Sequence, residues 1–67
     1  MIIEVGRKYI NKKNNKQYMI LNKCLNVTEN RDEPSVIYVE MDIDIRDMMY
    51  FVRSEEEFAE KFVLCVL

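Results

Sequence analysis

Tyr50-Phe51-Val52-Arg53-Ser54-Glu55-Glu56-Glu57-Phe58-Ala59-Glu60-Lys61-Phe62 is the most legible run of the chain. Three large apolar residues end in a cation, which reads as a strand from Met48 to Arg53. Ser54 then has the chemistry of a helix N-cap, and Glu57, at the third helical position, completes a capping box. Glu55 and Glu56 fall in the first turn, where the helix dipole favours anions, and Lys61 sits near the other end. Phe58 and Phe62 stand one helical turn apart and, with Ala59, form an inward stripe. The run Phe62-Val63-Leu64-Cys65-Val66-Leu67 supplies a last strand. The expected order is strand, short helix, strand.

Working back from this segment, Asp42 to Asp47 is an acidic connection whose alternation also allows it to extend a flanking strand. Ser35 to Met41 is a third strand, because Val36, Ile37, Tyr38 and Val39 are the residue types that pleated surfaces accept. Asn26 to Pro34 is polar, ends in the sole proline of the sequence, and reads as a loop. Gln17 to Leu25 is a second strand. Its apolar residues Tyr18 to Leu21 are consecutive, which predicts burial on both faces or a contact surface. Asn11 to Lys16 is a hairpin with Asn14-Asn15 at its tip, since asparagine tolerates positive φ. Arg7 to Ile10 is the first strand, with Gly6 before it as a turn or bulge residue. So many short antiparallel strands must curl to bury an apolar face. The expectation is a mainly β fold: one domain over residues 1–67, a small five-stranded antiparallel SH3-like barrel with one short helix before the last strand.

Composition limits the chemistry. The chain has 67 residues, no histidine, one glycine and two cysteines. Without histidine it lacks the usual base near neutral pH and the commonest metal ligand, and the Ser-His and Cys-His nucleophilic pairs are excluded. One glycine cannot build a phosphate-cradling loop. These absences argue against an enzyme, and no cofactor or metal is implied. Cys24 and Cys65 are expected as reduced, mostly buried thiols. The start Met1-Ile2-Ile3-Glu4 lacks the pattern of a secretory signal, and no apolar run reaches the ~20 residues needed to span a bilayer. The expectation is a cytoplasmic protein without a membrane partner. Residues 1–26 carry a local charge of +5 and residues 27–67 a local charge of −7, a contrast that an interleaved fold would mix.

The layout resembles an uncharacterised SH3-like family of small bacterial and phage proteins. That family runs from a glycine and tyrosine through a basic hairpin to a Tyr-x-Val-like strand. A polar loop and a Val-Val-Tyr strand follow, then aromatic-Val-Arg-Pro and two phenylalanines. The matching residues are Gly6, Tyr9, the Lys12 to Lys16 hairpin, Tyr18-Met19-Ile20, Val36-Ile37-Tyr38, Phe51-Val52-Arg53, Phe58 and Lys61-Phe62, spanning residues 6 to 63. The chain departs from the layout where Ser54 replaces the proline, Asn11 stands for the hairpin histidine, the hairpin lacks its glycine, and the acidic loop replaces a glycine-containing turn. The resemblance implies the fold and a frequent phage setting. The family's activity is itself unknown.

Asp42, Asp44 and Asp47 lack the spacing of a calcium loop and read as a solvated turn. Glu55, Glu56, Glu57 and Glu60 could pose as paired catalytic carboxylates, but the first three read as helix-start charges and nothing apolar is placed to raise a pKa as acid catalysis requires. Arg53 has two readings: it fixes the strand–helix corner by binding carbonyls or an acid such as Glu56 or Glu57, or it lines a ligand groove. Lys8, Lys12, Lys13 and Lys16, beside Tyr9 and Tyr18, form either a solvated hairpin or a nucleic-acid contact in which cations meet phosphates and a ring stacks on a base. The acidic balance of the whole chain opposes the second reading. Met19, Met41, Met48, Met49 and Leu67 are many apolar side chains for a small core, and the surplus reads either as overflow into a homodimer or a host protein or as simple scattered exposure.

The sequence therefore predicts a small non-enzymatic binding module, a phage or mobile-element accessory protein that docks on a host protein and modulates it. The candidate contacts are Tyr9, Lys12, Lys13, Lys16, Tyr18, Tyr38 and Arg53. The alternative is a nucleic-acid-binding module using the basic hairpin of residues 7–23.

Overall fold

The computed structural model describes residues 1–66. Its elements are β1 (Lys8–Asn11), β2 (Gln17–Thr28), β3 (Arg31–Glu40), a 3-10 turn (Ile45–Asp47), β4 (Phe51–Ser54), α1 (Glu55–Lys61) and β5 (Phe62–Leu64). The five strands form one antiparallel sheet in the order β4-β3-β2-β1-β5. This is an SH3-like barrel that stays open, with β4 and β5 as its edges and the short helix before the last strand. Among the described residues no helix is long and apolar enough to cross a membrane.

The first hairpin forms as its asparagines suggest. Asn15 takes φ +60°, the side-chain oxygens of Asn11 and Asn14 accept from the N–H groups of Lys13 and Lys16 at 2.8 Å, and Asn15 N–H donates to the Asn11 carbonyl. Gly6 has φ +83°, a conformation a side chain would strain. Its N–H donates to the Ile20 carbonyl at 2.8 Å, docking the N-terminal segment on β2.

β2 buries one face rather than two. Tyr18 and Ile20 point into the core, while Leu21 is exposed. The unbroken apolar run has a local cause: the β2–β3 register shifts between Ile20 and Asn22. Leu21 is thus the extra residue of a β-bulge, which breaks the period-2 pattern.

The segment from Asn26 to Pro34 is not a loop. β2 runs on to Thr28 and β3 begins at Arg31, with Leu25, Asn26, Val27 and Thr28 facing Pro34, Glu33, Asp32 and Arg31. Only Glu29-Asn30 turns, and the Thr28 hydroxyl donates to the Arg31 carbonyl at 3.0 Å. Pro34 lies beyond the β3–β4 ladder, which covers only Ser35 to Tyr38, so on that side no strand needs its missing N–H. β4 likewise starts at Phe51, later than Met48, and β5 ends at Leu64. The expected run to Leu67 reaches beyond the described residues.

The core joins Ile3, Tyr9, Tyr18, Ile20, Val36, Tyr38, Phe58 and Phe62. Phe58 and Phe62 stack with ring centroids 3.9 Å apart and planes 6° from parallel. Tyr9 meets Phe58 edge-on at 5.4 Å. Ser54 caps α1 by accepting from Glu57 N–H at 3.1 Å. The reciprocal arm of the capping box is absent among the described residues, because the Glu57 carboxylate is taken by Arg53. Cys24 and Cys65 are half-buried and unbridged, less covered than expected. Met19 and Met41 are half-buried, whereas Met48 and Met49 are exposed.

Candidate functional site

Arg53 is the last apolar-to-polar step of β4, immediately before the helix cap, and the sheet register sets it opposite Val36. Its Nε donates to the Tyr38 hydroxyl at 3.1 Å, and its Nη1 pairs with the Glu57 carboxylate one helical turn on. The guanidinium carbon lies 6.0 Å from the centre of the Phe62 ring, at the outer reach of a cation–π contact. The Tyr38 hydrogen bond is the main cause holding Arg53 protonated above its already high ordinary value; burial opposes it and the fields of Tyr38 and Glu57 add to it. Of the acids proposed for the corner, Glu57 is the partner. Two of the five guanidinium donors are thereby used, and the side chain is half-buried.

Of the depressions that reach this arginine, two also share Asn11. One, of about 210 Å³, is a cup lined by Asn11, Asn14, Tyr18, Tyr38, Phe51, Arg53 and Phe62. Its rings brace one another: Tyr18 lies edge-on to Tyr38 and Phe62 at 5.6 and 5.5 Å, and Phe51 leans on Tyr38 at 5.5 Å. Asn14 Nδ2 donates to the Tyr18 hydroxyl at 3.2 Å, so the hairpin tip is tied to the cup wall. The other depression, of about 420 Å³, is lined by Asn11, Lys12, Lys13, Arg53, Glu60 and Lys61. Lys12 Nζ donates to the Glu60 carbonyl at 2.9 Å, and Lys12 N–H to the Lys61 carbonyl at 2.9 Å. This shelf is cationic because the basic first hairpin lies against the C-terminal turn of the acidic helix. The charge asymmetry of the sequence is therefore interleaved, as Lys16–Glu40 and Lys23–Glu55, both 3.8 Å, also show.

The structure gathers Lys12, Lys13, Tyr18, Tyr38 and Arg53 around one cleft and separates two other candidates from it. Tyr9 is 1% exposed, and its hydroxyl accepts from Glu4 N–H at 3.0 Å; as a contact residue it is corrected to a core residue. Lys16 points to Glu40 rather than lining either depression. Tyr18 and Tyr38 are also mostly covered. Asn11, Asn14, Phe51, Phe62 and Lys61 were missed. Phe51 and Phe62 looked like ordinary core apolar residues, and the asparagines like turn residues, so only their meeting in space reveals the cup.

Asp42, Asp44 and Asp47 do not converge. Asp42 turns the chain with φ +60°, and Asp44 caps the 3-10 turn and grips Arg46 through both carboxylate oxygens. Among the described residues no three histidine, cysteine or acidic side chains gather as a metal site. Comparison with protein-family models, with curated proteins and with solved structures finds no match to this chain.

Proposed function

We propose that the protein is a non-enzymatic binding module that docks on a partner protein. Its cup receives an apolar side chain, and the neighbouring shelf receives a carboxylate of the same segment. The observation that supports this reading is the continuity of the two depressions at Asn11 and Arg53. A recess that sets ring walls beside a few convergent polar groups is a usual form of a recognition site, and a fixed guanidinium suits a carboxylate. In the setting implied by the family resemblance, a phage or mobile element, the mechanism is occlusion: the docked module blocks or redirects a host protein.

The nucleic-acid reading through residues 7–23 has less support. Cations line the hairpin, but Tyr9 and Tyr18, the rings that would stack on bases, are 1% and 7% exposed. Stacking platforms need an open ring face.

The test is affinity capture from host lysate with nuclease and raised salt, in parallel with Phe51→Ala and Lys13→Glu. Both substitutions lie at surface positions and are expected to fold. One stoichiometric protein retained by the unmodified chain and lost with both variants is the expected result. Capture of nucleic acid alone, or a protein retained equally by both variants, would overturn the cleft as the docking site.

A further inference from the structure

The shelf carries more positive charge than its own acids balance. Lys12, Lys13, Arg53 and Lys61 line it. The acids that line it or pair with its cations are Glu60 and Glu57, whose carboxylate is shared by Arg53 and by Lys61 at 3.8 Å. Four cations against two carboxylates leave a surplus of two positive charges. Lys13 is exposed and makes no ion pair among the described residues. Lys12 uses one of its three ammonium donors on the Glu60 carbonyl. Arg53 uses two of its five on Tyr38 and Glu57. The surplus sits in a chain whose formal net charge is −2, so it is a local feature of this depression. Charge of one sign gathered in a cleft attracts a ligand of the other.

On the footing of the docking function proposed above, we propose that the partner segment presents a phosphotyrosine, with its ring in the cup and its phosphate on the shelf. A phosphate monoester carries about −1.5 to −2 charges at neutral pH and three strong acceptor oxygens. That matches the surplus on the shelf and the donors left on Lys12, Lys13 and Arg53, whereas one carboxylate matches half of it. Arginine and lysine clusters are the usual partners of such groups. The ring follows from the cup. Tyr18, Tyr38, Phe51 and Phe62 wall it together with Asn11, Asn14 and Arg53. Rings accept one another edge-on, and this mixed lining suits a flat ring that bears a polar group better than an aliphatic side chain. Asn11 and Arg53 line both depressions, so ring and anion meet the same two residues. A phosphate borne on the ring achieves this with a single side chain. Phosphoserine supplies the dianion without the ring, and a nucleic-acid phosphodiester supplies one charge at each phosphate where the shelf has a surplus of two. Phosphorylation of the partner thereby becomes the switch for docking.

The test titrates the full chain with four capped peptides and follows its amide and Arg53 Nε–H signals by NMR. One peptide has phosphotyrosine at its centre and alanine elsewhere. The second has plain tyrosine there and the third phosphoserine. The fourth carries phenylalanine followed by two glutamates. The phosphotyrosine peptide is expected to shift the side-chain amides of Asn11 and Asn14 and the Arg53 Nε–H, and to bind about tenfold or more tighter than the other three. Lys13→Glu and Phe51→Ala, both at surface positions, should each weaken it. Affinity should rise between about pH 5 and 7.5 as the phosphate loses its second proton near 6. The chain has no histidine, so no side chain of ordinary pKa in the protein titrates there. A flat pH profile, or equal binding of the diglutamate peptide, would overturn the phosphate and leave the docking function standing. Equal binding of phosphoserine would overturn the ring. Shifts confined outside the cleft and indifferent to Lys13→Glu, or displacement of the peptide by a single-stranded oligonucleotide, would overturn the site as a phosphotyrosine receptor. Silence from all four peptides would overturn the phosphotyrosine whatever lysate capture returns, and the docking function falls only if that capture fails as well.

Discussion

The two halves of the β2–β3 hairpin are built from the same kind of ladder and held by different forces. The inner half contributes Tyr18, Ile20, Val36 and Tyr38 to the core beneath α1. The outer half, Leu25 to Asp32, is exposed at every residue, although its pairing is unbroken to Thr28 and Arg31. Backbone pairing is thus common to both, and burial belongs to one. An isolated two-stranded ribbon is marginal in water, so the arm persists because the inner half fixes its register.

The comparison breaks most severely at Phe58. This ring is fully buried, stacks on Phe62, and meets Tyr9 and Tyr38 edge-on. Phe58→Ala is expected to cost about 3–5 kcal/mol. That is on the scale of the whole stability of a small domain. Urea unfolding followed by circular dichroism should show loss of the cooperative transition or a midpoint displaced by most of its value. A loss below about 1 kcal/mol would mean that the aromatic cluster is not what separates the two halves.

The same contrast explains what the sequence could disclose. Phe58 and Phe62 at helical spacing, Ser54 before three glutamates, and the β-branched Val36-Ile37 run each carry a signal tied to burial or capping, so the succession of strands and helix along the chain was readable. Asn26 to Pro34 carries no such period, because both faces of the ribbon meet water and its side chains are free to be polar. Periodicity reports on a buried face, so a strand without one is silent. Leu21 misleads for the opposite reason: a bulge inserts an apolar residue that no alternation predicts. At the site, Arg53 and its Glu57 partner were legible from their spacing across the cap. The cup was not, since Asn11, Phe51 and Phe62 come from three elements and meet only in the curled sheet.

A smaller effect is expected at the helix that roofs the packed half. Ser54→Ala removes the acceptor for Glu57 N–H, and such a cap is typically worth ~1 kcal/mol. The Arg53–Glu57 pair survives the change, so thermal unfolding should shift without loss of cooperativity. If Ser54→Ala proves as costly as Phe58→Ala, the roof depends on its cap more than on its buried ring.

The arm should show almost nothing. Val27 is 73% exposed and faces Asp32 across the ladder, so Val27→Ser removes little buried surface. Its expected cost lies within about 0.5 kcal/mol, as for surface changes away from special features. Amide exchange provides the matching readout. Segments with little buried contact open locally at low free energy, so the amides of Asn26 to Glu33 should exchange well before those of Tyr18 and Ile20. Uniform protection along β2, with a Val27→Ser cost above about 1 kcal/mol, would show that the arm packs on something in solution. A second copy or a bound partner would then have to cover it. Fast exchange with a neutral substitution would instead identify a ribbon held in place only by its base, and would place the recognition chemistry at the other end of the sheet, where Arg53, the rings and the basic hairpin meet.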